Sequence, residues 1–142
     1  MKIREMTIDD YGDAYRLWQA TPGMGLRSLD DSMAGIAKFL DRNPRTCFVA
    51  VNHDTIIGTI LSGHDGRRGF IYHTAVAAAY QRKRIGSALV EAALSALKSQ
   101  GINKVALVTF RSNEAGNRFW DSEGFSDRTD LAYRDKSLIE DN

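Results

Sequence analysis

The segment FIYHTAVAAAYQRKRIGSA, residues 70–88, determines the fold more than any other part of the chain. Its first seven residues have the apolar and β-branched character of a strand, three adjacent cations follow, and a helical apolar stripe begins at Ile85. Free backbone N–H groups and the positive end of the helix dipole meet at such a helix start. Gly86 would let a phosphate group approach the backbone closely. The segment predicts a strand, a basic turn and a helix with an anion site; a solvated run of charge before a helix is the competing interpretation.

Periodic patterns on either side of this segment predict the remaining elements. Strands are predicted at residues 2–6, 46–51, 55–62, 70–76, 104–110 and 131–138, and helices after Thr7, after Ser28 with Asp31, from Ile85 to Ser99, and from Ser112 or Asn113 to Glu123. Three consecutive strands fit an antiparallel meander, whereas single strands between helices imply parallel pairing. The mostly apolar strand at residues 104–110 is predicted to be central. The fold class is α/β, with a mixed twisted sheet of about six to seven strands flanked by four helices.

Composition and charge narrow the classes of function. The chain has 142 residues, which is the size of one domain, and it carries 19 basic and 18 acidic side chains for a net charge of +1. No global field attracts nucleic acid or an anionic membrane, so any anion must be bound locally. The motifs G-x-G-x-x-G and G-x-x-x-x-G-K-[ST] are both absent. Their absence argues against a dinucleotide-binding fold and a nucleoside triphosphatase.

The cysteine content and the N-terminus indicate the compartment. Cys47 is the single cysteine, so no intramolecular disulfide or CxxC motif can form, which favours a reducing setting. A small buried strand residue is the preferred interpretation of Cys47 over a nucleophile. The N-terminus lacks the apolar core of a signal peptide, and no apolar stretch approaches the ~20 residues of a membrane span. A cytoplasmic protein is therefore predicted.

Two motifs resemble those of the GNAT superfamily of acetyl-CoA-dependent N-acetyltransferases. Residues 81–86, QRKRIG, are similar to the family's pyrophosphate motif [QR]-x-x-G-x-[GA], with Arg84 in place of the first glycine. Residues 113–125, NEAGNRFWDSEGF, resemble its N-x-x-A-x-x-x-Y-x-x-x-G-F helix, with Gly116 for the alanine and Trp120 for the tyrosine. The order of elements also resembles the family over nearly the whole chain. The resemblance implies one GNAT-like domain over residues 1–142, acetyl-CoA as the acetyl donor and CoA as a product.

The resemblance also implies which residues bind the donor. The strand end would hydrogen-bond the pantetheine arm like an added strand, the amides from Arg82 to Ala88 would hold the pyrophosphate, and the three cations would meet the 3′-phosphate. The predicted cofactor-binding residues are Ala75, Val76, Ala77, Gln81, Arg82, Lys83, Arg84, Ile85, Gly86, Ser87, Ala88, Asn113, Asn117 and Trp120. Trp120 could equally be a core aromatic residue beside Phe119 or Gly116. If Arg84 needs a positive φ, it is strained by about 1 kcal/mol or more.

The catalytic groups are harder to assign, because the tyrosine and glutamate that the family often uses are replaced by Trp120 and Val108. The candidates in this chain are Tyr72, His73 and Tyr133. Because neighbouring strand residues alternate, Tyr72 and His73 are predicted to face opposite sides. Tyr72 would share the acceptor face with Phe70, Thr74 and Val76. A lone strand histidine is more often a packed residue, so a water-mediated base is the main hypothesis.

The acceptor site is predicted from the loop between the first two helices, which forms part of the acceptor pocket in the family. The candidate residues are Met24, Leu26 and Arg27 in this loop and His64 and Asp65 in the turn before residue 70. Asp30 and Asp31 could attract a cationic amine, but favouring the helix start through its dipole is the preferred interpretation. The acceptor is predicted to be a primary amine on a small molecule or peptide.

The predicted function is transfer of the acetyl group of acetyl-CoA to a primary amine by direct attack in a ternary complex. The alternative is a catalytically silent CoA-binding sensor or assembly module of the same fold, supported by the two missing catalytic residues. A nucleic-acid binder using Arg82, Lys83, Arg84, Arg67 and Arg68 is disfavoured by the balanced charge. No membrane or metal is predicted to take part. A monomer and a homodimer paired through residues 131–138 both stay open.

Overall fold

Nine regular elements follow one another in the computed structural model, which describes residues 1–142. They are β1 (Lys2–Glu5), α1 (Tyr11–Gln19), α2 (Met33–Arg42), β2 (Phe48–Asn52), β3 (Thr55–His64), β4 (Gly69–Val76), α3 (Ile85–Ser99), β5 (Val105–Ala106) and α4 (Glu114–Ser122). Short 3-10 turns at Ile8–Asp10 and Ala78–Tyr80 precede α1 and follow β4. The α/β class and the four helices agree with the sequence prediction.

The five strands form one mixed sheet in the order β1-β2-β3-β4-β5. The first four pair antiparallel, and β5 pairs parallel to β4. The loop of the β2–β3 hairpin consists of His53 and Asp54. Both have a positive φ, as two-residue hairpin loops require. The predicted antiparallel meander and mixed pairing are confirmed.

The sheet buries both of its faces. Because neighbouring strand residues point to opposite faces, Val49 and Leu61 lie in the core under α1 and α2. Their neighbours Ala50 and Ile60 lie in the core under α3. Aromatic residues of α4 pack against this second core. None of the helices combines the length and the apolar character that a membrane span requires. The result is a sheet between two helical layers.

The prediction of six to seven strands is wrong at the C-terminal side of the sheet. Residues 104–110 form only the two-residue β5, which lies at the sheet edge and not in the centre, because it pairs only with Gly69 and Phe70. No strand forms at residues 131–138, where every side chain is exposed. Arg134, Asp135 and Lys136 interrupt the apolar alternation there, so a strand would have no continuous face to bury.

The helix boundaries follow their capping residues. α2 begins at Met33 and not after Ser28, because the Ser32 hydroxyl caps it by accepting from the Gly35 N–H at 3.0 Å. α3 has the predicted bounds and ends before Gly101, whose φ of +83° closes the helix. α4 is capped by Asn113, whose side chain accepts from the Gly116 N–H at 3.0 Å.

The turn before α3 is backbone-strained. Arg84 is the N-cap residue of α3 and has φ +62°, and Arg82 has φ +63°. Both lie in the left-handed region, where a β-carbon crowds the following carbonyl and costs about 1–2 kcal/mol. The positive φ considered for Arg84 from the sequence is therefore present.

Replacing Arg84 by glycine separates this strain from the charge. We expect Arg84→Gly to be more stable than Arg84→Ala by about 1 kcal/mol, because both remove the guanidinium but only glycine removes the β-carbon. Urea denaturation measures the difference. The matched control is the pair Lys83→Gly and Lys83→Ala, where φ is not positive and glycine should be the less stable residue. Equal stability of the two Arg84 variants would contradict the assignment.

Candidate functional site

A gap opens between β4 and β5 after their first two residue pairs. Beyond Phe70 the strand β4 continues to Val76 without a partner on its β5 side. Val76 is paired with Gly58 of β3. The next residue, Ala77, donates its N–H to Ile57 O of β3 at 2.8 Å. In this pattern the N–H and C=O of Val76 itself point away from β3. The Val76 N–H therefore faces the gap.

The three residues predicted to bind an extended arm are not equivalent. The Ala77 N–H is used by Ile57, and the Ala77 C=O accepts from the Tyr80 N–H at 2.8 Å. Ala75 is buried in the core and paired with Thr59. Both backbone groups of Ala77, predicted as one of the residues that bind the arm, are therefore already hydrogen-bonded within the fold. The Val76 N–H is the backbone donor that is left available at this edge.

Six consecutive backbone N–H groups after this strand have no acceptor. They belong to Arg82, Lys83, Arg84, Ile85, Gly86 and Ser87, and none donates to a backbone or side-chain oxygen. The last four lie at the N-terminus of α3, where the helix dipole adds a positive partial charge. We call these six N–H groups the cradle. Their arrangement suits a phosphate or pyrophosphate.

Two details of the cradle differ from the sequence prediction. The Ala88 N–H donates to Arg84 O at 3.1 Å, so it closes the first helical turn and is not free for an anion. A β-carbon on Gly86 would lie 3.1 Å from the Phe119 ring. A larger residue here would therefore crowd Phe119 of α4, and the Gly86 N–H belongs to the cradle.

The side chains around the cradle add positive charge at its rim. Arg82, Lys83 and Arg84 are exposed and form no ion pair. The Lys83 ammonium lies 5.5 Å from the centre of the Tyr80 ring. Gln81 donates from Nε2 to Val76 O at 3.2 Å and so ties the turn to the end of β4. The cradle thus combines free donors with uncompensated cations.

A bulge interrupts β4 next to the gap. Tyr72 pairs with Leu61 and Ala75 with Thr59, so His73 and Thr74 together oppose the single residue Ile60. His73 has φ +27°. As a result Tyr72 contacts α2 through Phe39, and His73 contacts α1 through Trp18, on the same face of the sheet. The prediction that Tyr72 and His73 face opposite sides is wrong, because the extra residue resets the alternation.

The same bulge changes the partners predicted for the acceptor face. Val76 packs against the core under α3, whereas Tyr72 lies on the face of α1 and α2. The prediction that these two residues share a face is therefore wrong. Phe70 does share the face of Tyr72, with ring centres 4.7 Å apart.

His73 is held by a buried carboxylate. Its Nε2 lies 2.5 Å from Asp31 Oδ1, and its ring packs edge-on against Trp18 with centres 4.8 Å apart. Asp31 is 5% exposed, and its second oxygen Oδ2 accepts from the Arg27 N–H at 2.6 Å. The Tyr11 hydroxyl donates to the Asp31 carbonyl at 2.6 Å. Asp31 therefore binds His73 and fixes the loop before α2. The interpretation preferred from the sequence, that Asp31 favours the helix start through its dipole, is wrong.

The two tyrosines predicted as catalytic differ in environment. Tyr72 is partly covered by Phe39 and Phe70, and burial, with smaller effects of Tyr133 and Asp30, raises the pKa of its hydroxyl above the usual value. The phenol therefore stays protonated near neutral pH and cannot act as a base there. Tyr133 is 70% exposed and forms no hydrogen bond.

The loop between α1 and α2 borders the gap. Met24 and Leu26 pack partly buried against the core under α1 and α2. A β-carbon on Gly25 would lie 3.3 Å from the Phe110 ring, and one on Gly23 would lie 2.9 Å from Asn113 Nδ2. Both glycines have a positive φ. The loop therefore lies against the segment that joins β5 to α4, as an acceptor pocket would require.

His64 and Asp65 lie at the opposite end of the sheet. His64 Nε2 is 2.7 Å from Gln100 Oε1, just past the C-terminus of α3, and its Nδ1 accepts from the Gly66 N–H. Asp65 caps the tight β3–β4 turn through the Arg67 and Arg68 N–H groups, each at 2.8 Å. Since α3 has 15 residues, this end is about 22 Å from the cradle. The prediction of these two residues as acceptor ligands is wrong.

The polar and aromatic residues of α4 have structural roles. Asn117 accepts from the Thr109 hydroxyl at 2.5 Å and donates to the carbonyls of Phe110, Arg111 and Asn113. These bonds tie α4 to the chain that follows β5, so the Asn117 amide is not left for a ligand. Trp120 packs between two aromatic rings, at 5.0 Å from Phe119 and 5.1 Å from Phe125. The interpretation of Trp120 as a core aromatic residue fits this packing.

The single thiol is inaccessible. Cys47 is 1% exposed, and its Sγ lies 3.3 Å from Ser62 O. Burial raises the pKa of the Cys47 thiol to about 12. It therefore remains protonated and acts as the small buried residue predicted from the sequence.

Known proteins resemble this chain in both sequence and fold. An acetyltransferase of Sodalis glossinidius, SG1711, is 28% identical over 141 residues, covering 99% of this chain and 98% of that protein. The crystal structure of Ard1 from Thermoplasma volcanium has a TM-score of 0.77 at 25% identity, covering 88% and 82% of the two chains. PaiA N-acetyltransferase from Thermoplasma acidophilum, solved in complex with coenzyme A, has a TM-score of 0.75 at 22% identity, covering 88% and 89%.

The family itself is identified by a match over most of the chain. The family model described as acetyltransferase (GNAT) family matches residues 8–125. This range includes β4, the cradle and α4, which are the elements that carry the two motifs. The resemblance inferred from the sequence is confirmed. The chain therefore belongs to the acetyltransferase (GNAT) family.

Proposed function

We propose that this protein transfers the acetyl group of acetyl-CoA to a primary amine, with both substrates bound at once. The proposal treats residues 1–142 as one catalytic domain. The observation that carries it is the cradle of six unpartnered N–H groups directly after the free edge of β4. Structurally similar proteins add support: one was solved with coenzyme A, and an aminoglycoside acetyltransferase from a soil metagenome was solved with sisomicin.

The available groups fit the chemistry of the donor. The pyrophosphate would accept hydrogen bonds from the cradle, and Arg82, Lys83 and Arg84 would meet its charge or the 3′-phosphate. The pantetheine arm carries amide groups and would lie in the gap beside β4, next to the cradle. The gap beyond Phe70 leaves this edge free of β5. When bound, acetyl-CoA supplies an activated acetyl group as a thioester.

The chain's own groups then handle charge and protons. The Val76 N–H faces the gap and would donate to the thioester oxygen as negative charge develops there. The departing thiolate has a conjugate acid with a pKa of about 8.5, so it leaves with little help and Trp120 need not supply a proton. A primary amine with a pKa of about 10.4 arrives protonated, so a base is required on the acceptor side.

Direct attack of the amine is supported by the lack of an accessible thiol that could carry the acetyl group. Cys47 is the only thiol of the chain, and it is buried with a pKa of about 12. It could therefore not take the acetyl group from the thioester. A ternary complex of donor and amine needs no such intermediate.

The remaining parts of the proposal concern partners and place. A cytoplasmic location agrees with a free, reduced thiol, and the near-balanced charge of +1 argues against nucleic acid as a partner. Monomer and homodimer are both compatible with this mechanism. The acceptor is a primary amine on a small molecule or peptide.

Donor binding gives the first test. We expect acetyl-CoA to bind the protein in calorimetric titration, and Arg82→Glu with Lys83→Glu to weaken it by at least about tenfold, because reversed charges face the phosphates. Arg67→Glu with Arg68→Glu is the matched control, since these exposed cations lie in the β3–β4 turn and should not change affinity. Acetylpantetheine, which lacks the pyrophosphate, should bind much more weakly than acetyl-CoA.

The outcomes separate the candidate functions. Absence of acetyl-CoA binding to the unmodified protein would overturn the proposal. Binding without thiol release for any member of a panel of alkylamines, polyamines, aminoglycosides and peptides would leave the silent CoA-binding module instead. An equal loss of affinity in both double variants would place the phosphates away from the cradle.

Steady-state kinetics tests direct attack. We expect intersecting double-reciprocal lines when acetyl-CoA and the amine are varied together, because both must be bound before either product leaves. Cys47→Ala should keep kcat within about twofold while lowering stability, since only buried packing is lost. Parallel lines, or an acetylated protein isolated after incubation with acetyl-CoA alone, would contradict the ternary complex.

A further inference from the structure

We propose that His73 is the general base of this reaction, receiving the amine proton through one water, and that Asp31 is its positioning residue. The inference rests on the proposed function and deepens it. It replaces an unassigned base by a named atom, His73 Nδ1. Four observations support it.

The first observation is the direction of the imidazole. Asp31 Oδ1 lies 2.5 Å from His73 Nε2, and an ionised carboxylate can only accept, so Nε2 carries the hydrogen. In the neutral ring, Nδ1 then carries the lone pair. This is the arrangement in which a carboxylate fixes the tautomer and leaves the other nitrogen free to take a proton.

The second observation is that Nδ1 is open to water. It has no hydrogen-bond partner in the protein, and no side-chain nitrogen or oxygen is both shut off from solvent and unpartnered. Solvent therefore reaches Nδ1. A water molecule can therefore act between Nδ1 and the amine.

The third observation is the immobility of Asp31. Its Oδ2 accepts from the Arg27 N–H, its carbonyl accepts from the Tyr11 hydroxyl, and its side chain forms no ion pair with lysine or arginine. The Asp31 carboxylate is therefore fixed by its own hydrogen bonds, with Oδ1 directed at His73 Nε2. The His73 ring also packs edge-on against Trp18 of α1.

The fourth observation is position. His73 lies in the β4 bulge, three residues before Val76, whose N–H faces the gap. At strand spacing this separates the two residues by about 10 Å or less along the chain. The Tyr72 ring and the loop from α1 to α2 lie on the same face, where the amine would enter. A base and an oxyanion donor are thus supplied by one short segment.

The step balances in atoms and electrons. The ammonium loses one proton through water to His73 Nδ1, and the nitrogen lone pair then forms a bond to the thioester carbonyl carbon. The carbon–sulfur bond breaks, and its electron pair leaves on sulfur. The thiolate takes the second amine proton, and the imidazolium returns its proton to solvent. The products are an amide, the free thiol of CoA and one proton.

The experiment compares two kinds of acceptor. With the panel amine that the unmodified protein acetylates fastest at pH 7, we expect His73→Gln to lower kcat by about 100-fold or more and leave the KM for acetyl-CoA unchanged. With methoxyamine, which is already uncharged at this pH, the same variant should retain its rate within about threefold. Asp31→Asn should lower kcat for the basic amine by about tenfold or more. The asparagine amide can donate to His73 Nε2, and the ring hydrogen then lies on Nδ1, which can no longer accept a proton.

Controls separate catalysis from folding. His53→Gln, in the β2–β3 turn, should leave both rates unchanged, and acetyl-CoA affinity reports whether each variant is folded. Equal losses with both amines, or retained turnover of the basic amine, would overturn the assignment. A wild-type protein that acetylates no amine would overturn the proposed function as well, so the two failures are distinguishable.

A measurement on the unmodified protein keeps the inference testable if the variants do not fold. Nitrogen-15 NMR of histidine-labelled protein reports which ring nitrogen of His73 carries hydrogen. We expect hydrogen on Nε2 and an unprotonated Nδ1 above neutral pH. Hydrogen on Nδ1 in the neutral ring would overturn the role of His73 as the base.

Discussion

Burial of one indole N–H constrains the centre of the molecule. Trp18 is fully buried, and an unsatisfied donor there would cost about 1–3 kcal/mol. Its Nε1 donates to Thr59 Oγ1 at 2.9 Å, and that hydroxyl donates in turn to His73 O at 3.1 Å. The carbonyl of His73 must therefore turn toward β3. The bulge in β4, and with it the direction of the His73 ring, depends on this chain of two hydrogen bonds.

The strand β4 connects the two halves of the site. Its bulge presents side chains to the layer of α1 and α2, and its free edge beyond Phe70 presents backbone to the gap. Directly after Val76 the chain turns into the cradle at the start of α3. Because the sheet and α3 share one core, the cradle and the face of β4 that carries Tyr72 and His73 are fixed relative to each other by packing.

The sequence predicted what depends on local pattern. The bounds of α3 and the meander follow from apolar spacing, and free N–H groups lie at the helix start where the anion site was predicted. The contact of Asp31 with His73 could not be predicted, because 42 residues separate them and the bulge reverses the alternation. The strand expected at residues 104–110 is short because it has a partner only at Gly69 and Phe70, which a periodic pattern does not reveal. At residues 131–138 three charged residues interrupt the apolar alternation.

The cradle has a consequence for how this site can change over generations. Its donors are main-chain groups, and every residue type except proline supplies the same N–H. The requirement on residues 82–84 is therefore conformational, and two arginines in left-handed geometry satisfy it where glycine would be easier. Exchanging these side chains would therefore keep the N–H donors of the cradle but remove the cations that we propose to face the phosphates. A sequence motif that specifies residue types at these positions will miss such chains, although their backbone conformation is the same.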